Sequence, residues 1–326
     1  MGRAPMSRSI TRPKPRMSSN ARVPEMAETG ATASRNRRTL ILLLAPLTIL
    51  LGVFFLIPLG IMVVYSFLEP GLYGGVEWNW YPYNYGRLIG WPLNDYEVFD
   101  PIYLKIFLNS LQIALMTVAG TLLLSYPAAF WVASMKGPRK SLVLFLVALP
   151  FFANMLVRIY AWLLLLRPTG FLSTLLESTG LIIEPLDLLF TNFSVIVGMV
   201  YVLTPFMFLP IYANVEKLDY SLVRASRDLG ATNVQTLWRI ILPLTAPGII
   251  GGSVIVFIPA LGNFIVPSLL GGSKVQMTGN LIERSFLQSR DWPFGAALAL
   301  LIMAFVVVLF SLQFSRQSKS EGQGTR

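Results

Sequence analysis

Six apolar runs, near residues 40–67, 106–134, 141–166, 192–214, 244–270 and 294–315, constrain this chain more than anything else in it. Each reaches or exceeds the roughly 20 residues that a helix rising about 1.5 Å per residue needs to cross a hydrocarbon core. Inside such a core every backbone amide must find its partner within the protein, so the runs predict six transmembrane helices and an all-α integral membrane protein. Composition agrees, since 54% of the 326 residues are hydrophobic and 13% charged, too little polar surface to cover a soluble domain. Pro46, Pro58, Pro127, Pro150, Pro205 and Pro259 fall inside the runs. In a bundle, neighbouring helices or water satisfy the carbonyls that each proline frees.

Residues 1–38 carry nine Arg or Lys against Glu25 and Glu28 and are too poor in apolar side chains to fold alone, so they read as a disordered basic tail. The run after it is longer than a signal-peptide core and lacks a small-x-small cleavage site, which predicts a retained first span. Basic residues of the short loops fall on one side: the tail, then Lys136, Arg139 and Lys140, then Lys217, Arg224, Arg227 and Arg239, then Arg316 and Lys319. That side is expected to be cytoplasmic, with both termini there and 316–326 as a C-terminal tail. The opposite loop, Glu69 to Lys105, is acidic and aromatic, suited to a headgroup-level belt or to an external partner.

The net charge of +10 sits mostly in the tail and short loops rather than on a folded face, which excludes nucleic acid as the expected partner. The chain has no Cys and no His, which removes disulfides, thiol chemistry, His metal sites and His acid–base catalysis. No catalytic or metal-binding residues are expected.

Between the fourth and fifth runs lies a polar insert, 216–243. Glu216 to Leu229 predicts one short helix, Gly230 a break, and Asn233 to Ile241 a second helix that Leu242-Pro243 ends. On the second helix Val234, Leu237, Ile240 and Ile241 share a face, leaving Gln235, Thr236 and Arg239 elsewhere. An insert of this kind either rests on lipid or docks a cytoplasmic protein.

Its spacing, Arg224-Ala225-Ser226, three residues, Gly230, nine residues, then Ile240-x-Leu242-Pro243, resembles the E-A-A-x3-G-x9-I-x-L-P loop of permease subunits of binding-protein-dependent ABC importers. The resemblance runs from about Leu40 to Phe314 and implies the six-span type I importer permease fold over 39–315. It also implies that the insert is the coupling loop to a separate ATPase, with Arg224, Ala225, Ser226, Asp228, Gly230, Ala231, Ile240, Leu242 and Pro243 as its site residues. Arg224 stands where the family has Glu, and Ser226 where it has a second Ala. A charge reversal in a desolvated docking surface changes binding by kcal/mol, at a rim by almost nothing. The chain has no G-x-x-x-x-G-K-[ST] loop, since Gly271-Gly272-Ser273-Lys274 lacks its spacing and terminal hydroxyl. ATP is therefore expected on the partner subunit and no cofactor on this chain.

Within that family, Leu149-Pro150-Phe151-Phe152, Val157-Arg158-Ile159-Tyr160-Ala161-Trp162 and Thr204 to Ala213 look like spermidine/putrescine importer permeases. The run Arg290-Asp291-Trp292-Pro293-Phe294-Gly295-Ala296-Ala297 resembles their first, or B-type, permease subunit. The resemblance implies a polyamine as solute, a second related permease as partner in a heterodimer, a periplasmic solute-binding protein, and a bacterial inner-membrane location. Carboxylates, amides and aromatic faces attract ammonium groups, which makes Tyr160, Trp162, Tyr201, Tyr212, Asn263 and Glu283 the pathway candidates. The aromatics equally suit helix packing, and Asn263 helix–helix bonding. Arg158 would repel a polycation and is expected toward the outer end of its helix, as an anchor that reaches the headgroups. Other readings are an importer permease for a ferric complex, thiamine or opine-like compound, an ion-coupled carrier, and a membrane scaffold. The carrier reading predicts paired acids deep in the spans, which the sequence lacks.

Overall fold

The computed structural model describes residues 43–91, 99–182 and 184–323, with side chains as far as Ser311. The basic tail, and Asp95 and Glu97 of the acidic loop, lie outside the described residues. The chain divides into two compact units, Met1–Pro58 and Leu59–Arg326, within its first described helix, α1 (Leu43–Tyr65). In the first unit α1 widens into a π turn over Gly52–Leu56, just before Pro58.

Among the described residues six helices are long and apolar enough to cross a bilayer. In the second unit the core is built on α7 (Asn192–Glu216), against which α3 (Ile102–Ala133) and α9 (Asn233–Leu261) both pack while also touching each other. Ile113, Met199, Met207, Ile211, Val256 and Leu261 lie fully buried where the three meet. Small residues allow the approach: a Cβ on Gly248 would come within 2.8 Å of the Pro210 carbonyl, and one on Gly252 within 2.8 Å of Met207 Sδ. Buried hydroxyls along α3 are satisfied locally, Ser110 donating to Ile106 O, Thr117 to Ile113 O and Thr121 to Thr117 O.

The third run is not one helix. It comprises α4 (Pro138–Phe152) and α5 (Met155–Leu166), separated where Ala153 turns extended and Asn154 caps α5 by accepting from the Leu156 amide at 2.8 Å. Pro150 has already removed one amide from the last turn of α4, so the helix has little to lose by stopping there. A turn at Arg167–Gly170 leads to α6 (Phe171–Ser178). Three contacts align α4 and α5 antiparallel to α7: Lys140 with Glu216, Phe151 with Phe206, and Trp162 with Tyr201.

Two further expectations are corrected. Pro243 does not end the second insert helix, because α9 runs unbroken from Asn233 to Leu261. A π turn at Leu237–Ile241 precedes the proline, as one precedes Pro58, and contains the carbonyl of Arg239 that its ring would otherwise strike. The fifth span was expected to reach 270 but α9 stops at Leu261, and Asn263 then caps a new turn, accepting from the Val266 amide at 3.0 Å, that leads into a π turn at Pro267–Gly271.

At the end of the bundle away from the insert, β1 (Leu68–Pro70) and β2 (Val76–Trp80) form an antiparallel hairpin followed by α2 (Tyr83–Ile89). Asn84, fully buried, donates to the carbonyls of Ser66 and Leu68 and pins the hairpin's base. α10 (Thr278–Leu287) and α11 (Trp292–Gln323) complete the chain; a small second core of Leu88, Phe294, Ala297 and Leu298 joins α2 to α11.

Candidate functional site

The insert is built from short-range chemistry. Asp219 caps α8 (Tyr220–Asp228), accepting from the Ser221 amide at 2.8 Å. Hydrogen bonds from Ser221, and then the charge of Arg224, hold the Asp219 carboxyl below the usual carboxylate range. α8 closes at Gly230, whose φ of 82° is left-handed; the Gly230 and Ala231 amides donate back to Arg227 O and Ser226 O. Thr232 then opens α9 with a capping box completed by Gln235.

Across this turn Ser226 and Thr236 meet at 3.0 Å, both buried. Ser226 Oγ spends its one proton on Val223 O, so Thr236 is the donor between them. The expected facing of α9 is thereby corrected: Thr236 points inward at 2% exposure and Val234 outward at 64%, the π turn having shifted the register beyond it. Ser226, the departure from the family's Ala, is thus half of a latch. Nothing in the periodicity of 233–241 marked Thr236 as its partner.

Outside the latch the insert presents Arg224, Ala225 and Asp228 to solvent, with Leu229, Val234 and Trp238 as an exposed apolar crown. Ala231, Ile240 and Leu242 are half-buried and Pro243 exposed. At its base Lys140 Nζ bonds Glu216 at 2.6 Å and lies 5.6 Å over the Tyr212 ring. The Glu216 hydrogen bond, then that of Tyr212, raises the pKa of Lys140 above its ordinary value. Tyr212 therefore belongs to this tie at the insert end, and Asn263 to a helix cap.

Within the bundle a cavity of about 570 Å³ opens between α3, α4, α5 and α7. Trp162 and Tyr201, two of the expected pathway residues, line it in edge-on contact at 5.7 Å, and Trp131, which sequence reasoning passed over, joins them. Ser125 and Thr204 also line it, but their hydroxyls donate to Thr204 O and Val200 O, so the wall is almost wholly apolar and aromatic. Tyr160 stands apart, half exposed on α5, and Glu283 is half-buried on α10 with no ion pair among the described residues.

The run from Arg290 to Ala297 holds the hairpin. Asp291 Oδ1 caps α11 by accepting from the Phe294 amide at 3.1 Å, while its Oδ2 takes Arg87 Nη1 at 2.8 Å. The guanidinium of Arg87 lies 4.2 Å over the Phe294 ring, and the Gly75 amide donates to Arg290 O. The strongest sequence signal toward one permease subtype is thus a clamp on the outer loop.

A bundle of bilayer-length helices, with a latched helix–turn–helix ahead of the fifth span and an apolar cavity within, defines a multi-pass membrane permease. More closely, the chain belongs to the binding-protein-dependent transport system inner membrane component family, whose model matches residues 122–316. It is 43% identical over 228 residues to the spermidine/putrescine transport system permease protein PotB of Escherichia coli, covering 70% of this chain and 82% of that one. The PotB protein of Haemophilus influenzae is 44% identical over 220 residues, 67% and 77% of the two chains. The fold matches a chain of a bacterial ABC transporter involved in import of the acidic polysaccharide alginate, at TM-score 0.66 and 18% identity over 88% of this chain and 98% of the other. This chain is accordingly a multi-pass inner-membrane ABC importer permease.

Proposed function

We propose that this permease carries polyamine, spermidine or putrescine, across the inner membrane as one half of a heterodimer with a second, related permease. ATP is hydrolysed on separate ATPase subunits, which dock on the crown of Leu229, Val234 and Trp238, and a periplasmic binding protein delivers solute at the hairpin end. The insert is then cytoplasmic, as are both termini, in keeping with the basic residues on that side.

The observation that carries the solute is the 43% identity to a spermidine/putrescine permease across four-fifths of its length. The cavity's chemistry supports it: an apolar wall suits the methylene chain, and the faces of Trp131, Trp162 and Tyr201 attract ammonium groups. The observation that carries the coupling role is the continuity of α9, which joins the insert to the fifth span as a single rod. Closure of the ATPases around ATP moves that rod, and the difference in stability between outward- and inward-facing states moves solute.

The test is uptake of labelled spermidine and putrescine into vesicles holding this chain, the second permease and the ATPase. Uptake that needs both ATP and the binding protein is the expected result. A complex whose ATPase answers to a different loaded binding protein, with no polyamine uptake, overturns the solute and keeps the class.

A further inference from the structure

Arg158 sits in the first turn of α5, half-buried; its amide donates to Asn154 O, but among the described residues no hydrogen bond or ion pair reaches its side chain. Its Nε is enclosed by protein and unpartnered. The break before α5 sets it deeper than the sequence implied. Its neighbours along α4 and α5, Phe151 and Trp162, touch Phe206 and Tyr201, which stand ten and fifteen residues from Glu216 on α7. At 1.5 Å per residue those levels are roughly 15 and 22 Å along a helix of about 37 Å, so Arg158 lies near mid-depth. That is too deep for the headgroup anchoring expected of it.

A guanidinium keeps its proton in a protein, and a charge at the bilayer centre persists where it faces a bundle interior and is paired. Among the described residues no acid lies at that level. The described carboxylates lie outside the bilayer-length helices except Glu177, past the Arg167–Gly170 turn, and Glu216, at the end of α7 and paired with Lys140. Beside Arg158 on α5, Leu156, Tyr160 and Leu164 recur every fourth residue as an exposed stripe, 46%, 51% and 58% accessible, with Val157 at 67%.

We infer that this stripe is the mid-membrane contact with the second permease subunit, and that the second subunit presents a carboxylate to Arg158. The inference rests on the heterodimeric reading above. Charge decides between the candidate occupants. Lipid tails give a guanidinium nothing to bond. A second copy of this chain, packed about a two-fold axis, would bring another Arg158 and no intramembrane acid at its level. A non-identical subunit with an acid in its span satisfies both the stripe and the charge.

The chain has no Cys, so Tyr160→Cys supplies a single thiol. In liposomes a lipid-soluble maleimide should label it in the chain alone and not in the complex with the second permease and ATPase. Arg158→Gln should lower recovery of the second permease with this chain by at least about tenfold, and Arg158→Lys less. Arg158→Glu should regain assembly and uptake when one intramembrane carboxylate of the second permease is changed to Arg. Equal labelling of Tyr160→Cys inside a complex that holds both permeases overturns the inference, as does wild-type assembly and uptake by Arg158→Gln. If Arg158→Gln fails to reach the membrane, the labelling and Arg158→Lys decide. If the wild-type chain recovers no second permease at all, the heterodimeric reading itself fails, and the wild-type control separates that outcome from the others.

Discussion

The hairpin end and the insert end of this permease are attached to the bundle in different ways. The hairpin is a tether: a charge pair between residues 204 apart in sequence, one backbone bond and an aromatic face hold it to α11. The insert is a lever: its latch is made of neighbours in sequence, and its second helix is the fifth span itself. A tether can release without disturbing the helix that holds it. A lever cannot move without moving its span, which is what coupling to an external ATPase requires.

Breaking the tether should have the largest energetic effect. Arg87 and Asp291 are 20% and 17% exposed, so Asp291→Ala leaves a mostly desolvated guanidinium unpaired and uncaps α11, at a cost of about 3 kcal/mol. Limited proteolysis should show the hairpin cut faster while the bundle below Trp292 stays resistant. Global loss of the folded protein would mean that the clamp is part of the core rather than a tether.

Breaking the lever should cost less stability and more function. Beyond its chain neighbours, no described atom lies within 4 Å of a Cβ placed on Gly230, so Gly230→Val is penalised chiefly by its φ of 82°, about 1–2 kcal/mol. Insertion should persist while solute-stimulated ATPase and uptake fall at least about tenfold, because misplacing a docking turn weakens a whole interface. Gly230→Asn, tolerant of left-handed backbone, should lose much less.

The same contrast explains what the sequence showed and what it hid. Runs of apolar residues and the Gly230 break are local signals, and they marked the spans and the insert. The end of α4 was legible in part, since Pro150 and the capping Asn154 stand four residues apart, but hydropathy continues smoothly across them. Pro243 misled for a physical reason: a π turn accommodates a proline that a regular helix would not, and no residue pattern announces it. Tyr212 and Arg158 were misplaced because what fixes them, Lys140 and the depth of α7, comes from packing, whereas Asn263 makes a local cap to Val266 that the smooth hydropathy of the fifth run concealed. The Arg290 to Ala297 run was recognised, but its task needed Arg87, two hundred residues away.

The latch offers a finer test of the lever. Thr236→Val keeps the shape and removes the proton that Thr236 gives to Ser226, costing about 1 kcal/mol. Cross-linking between cysteines at Leu229 and Val234 should then report a looser turn, with uptake reduced about two- to threefold. Ser226→Ala, which restores the residue expected from the family pattern, removes that bond and the one to Val223 O and leaves the buried Thr236 hydroxyl without an acceptor, so its cost should be at least as large. Equal behaviour of both variants and the wild type would show that the turn is held by Gly230 and its amide bonds alone.

The smallest effect belongs to the cap of α8 and depends on pH. The Asp219 carboxyl is held below its ordinary value by Ser221, so its contribution is present above the ordinary carboxylate value of about 3.9 and is lost as pH falls through the lowered one. Amide exchange at Ser221 and Leu222 should therefore stay slow from neutral pH down to about 4, after allowance for the intrinsic pH dependence of exchange, and quicken below it. Asp219→Asn keeps an acceptor at the cap but not the charge, so it should protect these amides at neutral pH and lose the acid step. An unchanged acid step in the Asn variant would place the titration elsewhere, and the lever would then begin at Tyr220 without its charged cap.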